Sequence, residues 1–127
     1  MRIAVVLTVI GAVAGFDAIA QTKFNAAGRW CGSSPEFKLS GVPATAVKLD
    51  ARMVDLNVPG FPHGGGQVAY SKGGSIECGA IAQGSGGAYQ GPSPPAGQVH
   101  TYQWTIQALD VGGKVVGVAT TLLKMPQ

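Results

Sequence analysis

Between Val47 and Met53 the apolar residues Val47, Leu49, Ala51 and Met53 alternate without a break with the charged residues Lys48, Asp50 and Arg52. A period of two sends one set to each face of a pleated strand, whereas a helix would scatter the same residues around its surface. The period returns from His100 to Leu109, where His100, Tyr102, Trp104, Ile106 and Ala108 share one face and Thr101, Gln103, Thr105 and Gln107 the other. Shorter apolar runs, Gln67 to Ser71 and Lys114 to Val118, read as further strands, and Glu36 to Ser40 reads as an edge strand. Ala119 to Lys124 is open to two readings, a short C-terminal helix or a final strand. The chain holds 20 Gly and 8 Pro in 127 residues. In a helix interior these cost about 1 and 3 kcal/mol each, which opposes long helices. They gather into turn segments such as Pro59 to Gly66, Gly84 to Gly87, Gly91 to Gly97 and Val111 to Gly113. Short strands between such turns predict an all-β domain, an antiparallel sandwich or barrel.

The N-terminus is set apart from this pattern. Met1-Arg2 gives a short positive end, Ile3 to Phe16 is almost wholly apolar or small, and Ala18-Ile19-Ala20 places small residues where a signal peptidase reads. Residues 1–20 therefore read as a secretory signal cut after Ala20, leaving 21–127 as one periplasmic or secreted domain. The uncharged run of about 14 residues falls short of the roughly 20 that span a bilayer, so no membrane anchor is expected after cleavage. Export gives the two cysteines a meaning: Cys31 and Cys78 most simply form one disulfide in an oxidising compartment. A metal site drawn from Cys31, Cys78, His63 and His100 is the weaker reading, because no two of these share the short local spacing of zinc ligands. Neither a metal nor a cofactor is expected. The formal net charge is +3 with no basic run, which argues against dedicated nucleic-acid binding.

Familiar catalytic motifs are missing. The sequence has no Gly-x-Ser-x-Gly, no phosphate loop ending in Gly-Lys-Ser/Thr, no Gly-x-Gly-x-x-Gly and no His-Glu-x-x-His. Glu36, Asp50, Glu77 and Asp110 read as surface charges. Asp55 differs, because it ends the alternating strand at a turn just before Asn57 and Pro59; its carboxylate either caps that turn or serves a site. The segment Tyr89-Gln90-Gly91-Pro92-Ser93-Pro94-Pro95-Ala96-Gly97 is a stiff loop that opens into the strand carrying His100 and Tyr102. Rigid loops on a sheet often carry binding groups and lose little entropy on meeting a ligand. The imidazole of His100, the tyrosine hydroxyls and the amide of Gly91 are donors suited to an anionic oxygen. The rival reading makes His100 and Tyr102 core residues beneath Trp104.

These segments, in this order, resemble the phosphatidylethanolamine-binding proteins, which include the bacterial Raf kinase inhibitor-like proteins. Ser34-Pro35-Glu36-Phe37-Lys38-Leu39-Ser40-Gly41-Val42-Pro43 is similar to the family's opening strand and Gly-Val-Pro turn. Met53-Val54-Asp55-Leu56-Asn57-Val58-Pro59 resembles its Asp-Pro-Asp-x-Pro loop, and Tyr89 to Tyr102 resembles its Gly-Pro-x-Pro-Pro-x-Gly, His, Tyr stretch. The likeness covers Ser34 to Asp110. It implies an antiparallel β-sandwich with a small anion pocket at one end that takes phosphate-like head groups. Asp55 then matches the first loop Asp, His100 the pocket His, Tyr102 the Tyr two residues later, and Tyr89, Gly91, Pro94 and Pro95 the rim. An Asp bonded to the imidazole would favour the charged ring and leave its far nitrogen to face phosphate.

Departures from the family are equally specific. Asn57 stands in place of the second loop Asp, Leu56 replaces the intervening Pro, and His63, the candidate second pocket His, precedes three glycines instead of lying in a strand. The chain is also shorter than typical members between Tyr70 and Tyr89 and after Asp110, which implies a shallower or more open pocket. The expected function is an exported, non-enzymatic binding protein for a small phosphorylated or anionic ligand such as a phospholipid head group. Two alternatives stand beside it: a module that binds or inhibits a protein partner through the loop rim, and a small hydrolase in which Asp55 and His100 activate water.

Overall fold

The computed structural model describes residues 22–84 and 86–127. The secretory signal expected at 1–20 lies outside the described residues. Among those residues the protein is all-β, with eight strands and no helix: β1 (Thr22–Lys23), β2 (Asn25–Cys31), β3 (Ser34–Ser40), β4 (Lys48–Asp55), β5 (Gly65–Ala69), β6 (Ser75–Ile76), β7 (His100–Leu109) and β8 (Val115–Met125). They form a five-stranded sheet in the order β1-β8-β7-β4-β5 and a three-stranded sheet in the order β2-β3-β6. The strand pairs are antiparallel except that β1 joins β8 in parallel, Thr22 opposite Gly117, so the larger sheet is mixed.

The two segments with the cleanest period of two become β4 and β7, neighbours at the centre of the large sheet. Leu49, Ala51 and Met53 point inward from β4, and Tyr102, Trp104, Ile106 and Ala108 from β7; all are buried. Two other segments differ from expectation, whereas Ala119 to Lys124 takes the strand and not the helix of its two readings, because it continues β8, which runs unbroken for 11 residues and pairs with β7 from Val115 to Met125. Its valines and threonines favour the extended form, and a long partner strand supplies the backbone hydrogen bonds that a helix would otherwise make. Glu36 to Ser40 lies in β3, which is the middle strand of the small sheet and not an edge. The Gln67 to Ser71 strand is shifted towards the glycines, to Gly65–Ala69. Gly65 belongs in β5 because the backbone there passes very close to β4, so that a Cβ at this position would lie 1.8 Å from the Ala51 carbonyl oxygen.

Aromatic rings from the two sheets meet in a shared core. Trp30 of β2 packs edge-on against Tyr102 at 5.8 Å between centroids, and Phe37 of β3 against Trp104 at 5.4 Å. Such pairs contribute about 0.5–1.5 kcal/mol each beyond simple burial. The Cys31–Cys78 disulfide joins the end of β2 to the loop after β6 across 47 positions. A closed loop of that length removes enough unfolded-state entropy to stabilise the fold by about 4 kcal/mol in the chain-entropy view. The bond is compatible with an oxidising, exported compartment.

Candidate functional site

The β4–β7 register sets Asp55 directly opposite Tyr102, with His100 one inward position further along β7. All three therefore project from the same face at the end of the sheet, where the hydrophobic row of each strand gives way to polar residues. Asp55 and His100 are buried, with side chains 4% and 6% exposed, and Asp55 Oδ2 lies 2.7 Å from His100 Nδ1. The other carboxylate oxygen accepts the backbone N–H groups of Asn57 at 2.8 Å and Val58 at 3.2 Å. One carboxylate thus performs both roles open to it in the sequence: Oδ1 caps the turn and Oδ2 holds the imidazole. Burial alone would push the Asp55 carboxyl up, but the His100 hydrogen bond, the two backbone N–H groups and the imidazole charge outweigh it and hold the group below the ordinary carboxylate value. Asn57 adds a strut, its Oδ1 accepting the Thr101 N–H at 2.9 Å, which ties the turn after β4 to β7 next to His100.

A cavity of about 480 Å³ opens at this end of the sheet, and Asp55, Asn57, His63, Pro95, His100 and Tyr102 all line it. Tyr102 is fully buried, and among the described residues its hydroxyl has no well-formed hydrogen-bond partner, only the nearby Asp55 carboxylate and Ser93 backbone. Burial, and after it the nearby Asp55 carboxylate, push this phenol above the ordinary tyrosine value, so the hydroxyl keeps its proton as a donor. A buried donor without an acceptor costs about 1–3 kcal/mol, a cost that an incoming acceptor would remove.

His63 reaches the cavity through backbone contacts that immobilise its segment. Gln90 N–H donates to the His63 carbonyl at 2.8 Å, and His63 Nδ1 lies 2.7 Å from the Gln90 carbonyl, which as an acceptor takes the ring proton and leaves Nε2 as the other ring nitrogen. This crossing of segments 63–65 and 87–90 requires glycine: a Cβ on Gly87 would sit 2.1 Å from the Gly65 carbonyl oxygen. His63 is 4% exposed, and its ring meets that of Phe61 at a tilt of 50°, 4.6 Å between centroids. It is therefore held between Phe61 and Tyr102, whose ring centroid is 5.6 Å away, and does not swing from a free loop.

Three residues expected at the rim are placed otherwise. Tyr89 is buried in the core against Trp104, and its hydroxyl donates to the Ser33 carbonyl at 2.6 Å, so it has no donor left for a ligand. The Gly91 amide donates to Gln83 Oε1 at 2.8 Å and is likewise engaged. Pro94 is half-buried and does not line the cavity, although Pro95 does. The sequence reading missed Val58, Phe61, Ser93 and Gln98, which complete the lining. Phe61 and Gln98 lie in turns outside the strands, where strand alternation gives no signal. Asp50, read as a surface charge, is buried at 8% exposure.

The cavity combines one carboxylate already committed to protein donors, two imidazoles, a phenolic donor and an apolar edge made by Val58, Phe61 and Pro95. That set can bind an acceptor oxygen and pack a short apolar group beside it. No protein-family model matches the chain, and no curated protein matches it in sequence.

Proposed function

We propose that this chain is an exported, non-enzymatic binding protein whose cavity takes a small phosphate-bearing or otherwise anionic ligand, on an antiparallel sandwich similar to the phosphatidylethanolamine-binding proteins. The two sheets that share one aromatic core support the sandwich reading, with the short parallel β1 as an addition at the sheet edge. The observation that carries the functional reading is the buried Tyr102 hydroxyl without a partner, in the same cavity as an imidazole whose Nδ1 is held by Asp55. The His100 ring stands between two acceptors, the Asp55 carboxylate at Nδ1 and the Gln98 amide oxygen at Nε2. Asp55 thus holds the ring from behind and turns Nε2 towards the cavity, where Gln98 meets it.

Binding is favoured over hydrolysis by activated water because His100 Nε2, the nitrogen that would take a proton from water, is occupied by Gln98 Oε1. Calorimetry with inorganic phosphate and O-phosphoethanolamine tests the reading. His100→Ala, checked for retained fold by circular dichroism, is expected to weaken binding at least about tenfold, the loss of one charge-assisted hydrogen bond. Unchanged affinity refutes it. Wild-type affinity should also fall as salt screens the charges.

A further inference from the structure

The nitrogen that an anion would use is already engaged. His100 Nε2 lies 2.9 Å from Gln98 Oε1, and Gln98 lines the same cavity. The two acceptors on this ring are not equivalent. Asp55 is buried, and its carboxylate is fixed by the Asn57 and Val58 N–H groups. Gln98 is exposed, at the end of a turn whose geometry depends on its backbone alone: its N–H donates to the Pro95 carbonyl at 3.0 Å, and Gly97 takes φ +82°. The Gln98 side chain can therefore rotate away while the loop stays in place, and the Asp55 side chain cannot.

We propose that Gln98 is a built-in competitor for the anion site, its amide oxygen standing where a ligand oxygen would meet His100 Nε2, so that binding requires this side chain to swing out. The proposal rests on the anion-pocket reading and adds a specificity rule to it. Exchanging one neutral acceptor for another returns almost nothing, because the bond lost equals the bond gained. A phosphate oxygen brings a full negative charge to that nitrogen, which the neutral amide oxygen it displaces does not, so an anion gains on the exchange. Gln98 thus sets a threshold that neutral carbonyl or hydroxyl ligands do not clear and anions do.

The test uses wild type, Gln98→Ala and Gln98→Glu, with inorganic phosphate as the probe. Gln98→Ala removes the competitor and should bind phosphate about three- to tenfold more tightly, the range of one displaced hydrogen bond. Gln98→Glu puts a negative charge beside His100 Nε2, where the phosphate would sit, and should weaken binding by at least about tenfold. Nitrogen–proton NMR of the imidazole, read without phosphate, should show a His100 Nε2–H signal protected from exchange in wild type and lost in Gln98→Ala. Equal or weaker phosphate binding by Gln98→Ala than by wild type overturns the proposal, as does a protected signal that persists in that variant. If no form binds phosphate while the signal behaves as expected, the anion-pocket reading has failed, and the competitor role falls with it although the Gln98 contact stands.

Discussion

Two aspartates on the same strand share the same electrostatic direction and have different surroundings. Asp50, in the middle of β4, is desolvated, but Arg52 and Gln67 hydrogen-bond it and the Arg52 charge assists, so its carboxyl lies below the ordinary value. Asp55, at the strand's end, is desolvated too and reaches the same direction through His100 and two backbone N–H groups. Asp50's charged partner is 55% exposed and belongs to the outer surface of the sheet. Asp55's partner, the His100 imidazole, is buried and lines a cavity with its second nitrogen. A lowered carboxylate alone therefore does not mark a site. What marks it is a partner with a further donor, beside a phenol that has no acceptor.

The largest effect expected from this contrast is on stability. Asp55→Ala leaves the buried His100 Nδ1 and the Asn57 and Val58 N–H groups without their acceptor and should cost about 3–5 kcal/mol in urea denaturation. Asp50→Ala leaves a guanidinium that water can reach and should cost only about 1 kcal/mol. Equal costs would break the comparison. Acid sharpens it next: both folded carboxyls titrate below the unfolded value of about 3.9, so each contributes stability that is complete above that value. The contribution fades as pH falls from there through the lowered folded pKa. Asp55→Asn should remove part of this acid loss, read as a flatter dependence of the urea midpoint between about pH 6 and about pH 2.5. An unaltered slope would show that Asp55 is not linked to folding in this way.

The smallest stability effects separate the two buried tyrosines. Tyr89→Phe removes a hydrogen bond to the Ser33 carbonyl and should cost about 1 kcal/mol with phosphate affinity unchanged. Tyr102→Phe removes a hydroxyl that has no partner. It should leave stability within about 0.5 kcal/mol or raise it slightly, while phosphate affinity falls about tenfold. Thermal or urea unfolding beside calorimetry distinguishes the pair, and a stability loss in Tyr102→Phe would show that its hydroxyl serves the fold.

Much of the fold was legible where side chains alternate in size and polarity. Period two places the ends of β7 as observed and those of β4 within two residues, and it sorts His100, Tyr102 and Trp104 to one face. β2 was not legible, since Asn25-Ala26-Ala27-Gly28-Arg29-Trp30-Cys31 buries only Trp30 fully and has no apolar row to reveal it. The site was legible at Asp55, His100 and Tyr102 because they end inward rows. It was not legible at Tyr89 and Gly91, whose donors are consumed by Ser33 and Gln83, residues 56 and 8 positions away. Asp50 was misread for a related reason: its face is outward, but Arg52 and Gln67 fold over it.

By itself the sequence determined which segments are extended and which way their side chains point, because steric alternation along a strand is local and needs no partner. Only the tertiary structure decided which donors remain free, because hydrogen bonds are exclusive and their acceptors arrive from distant segments: Gln98 on His100 Nε2, Gln90 on His63, and none on Tyr102.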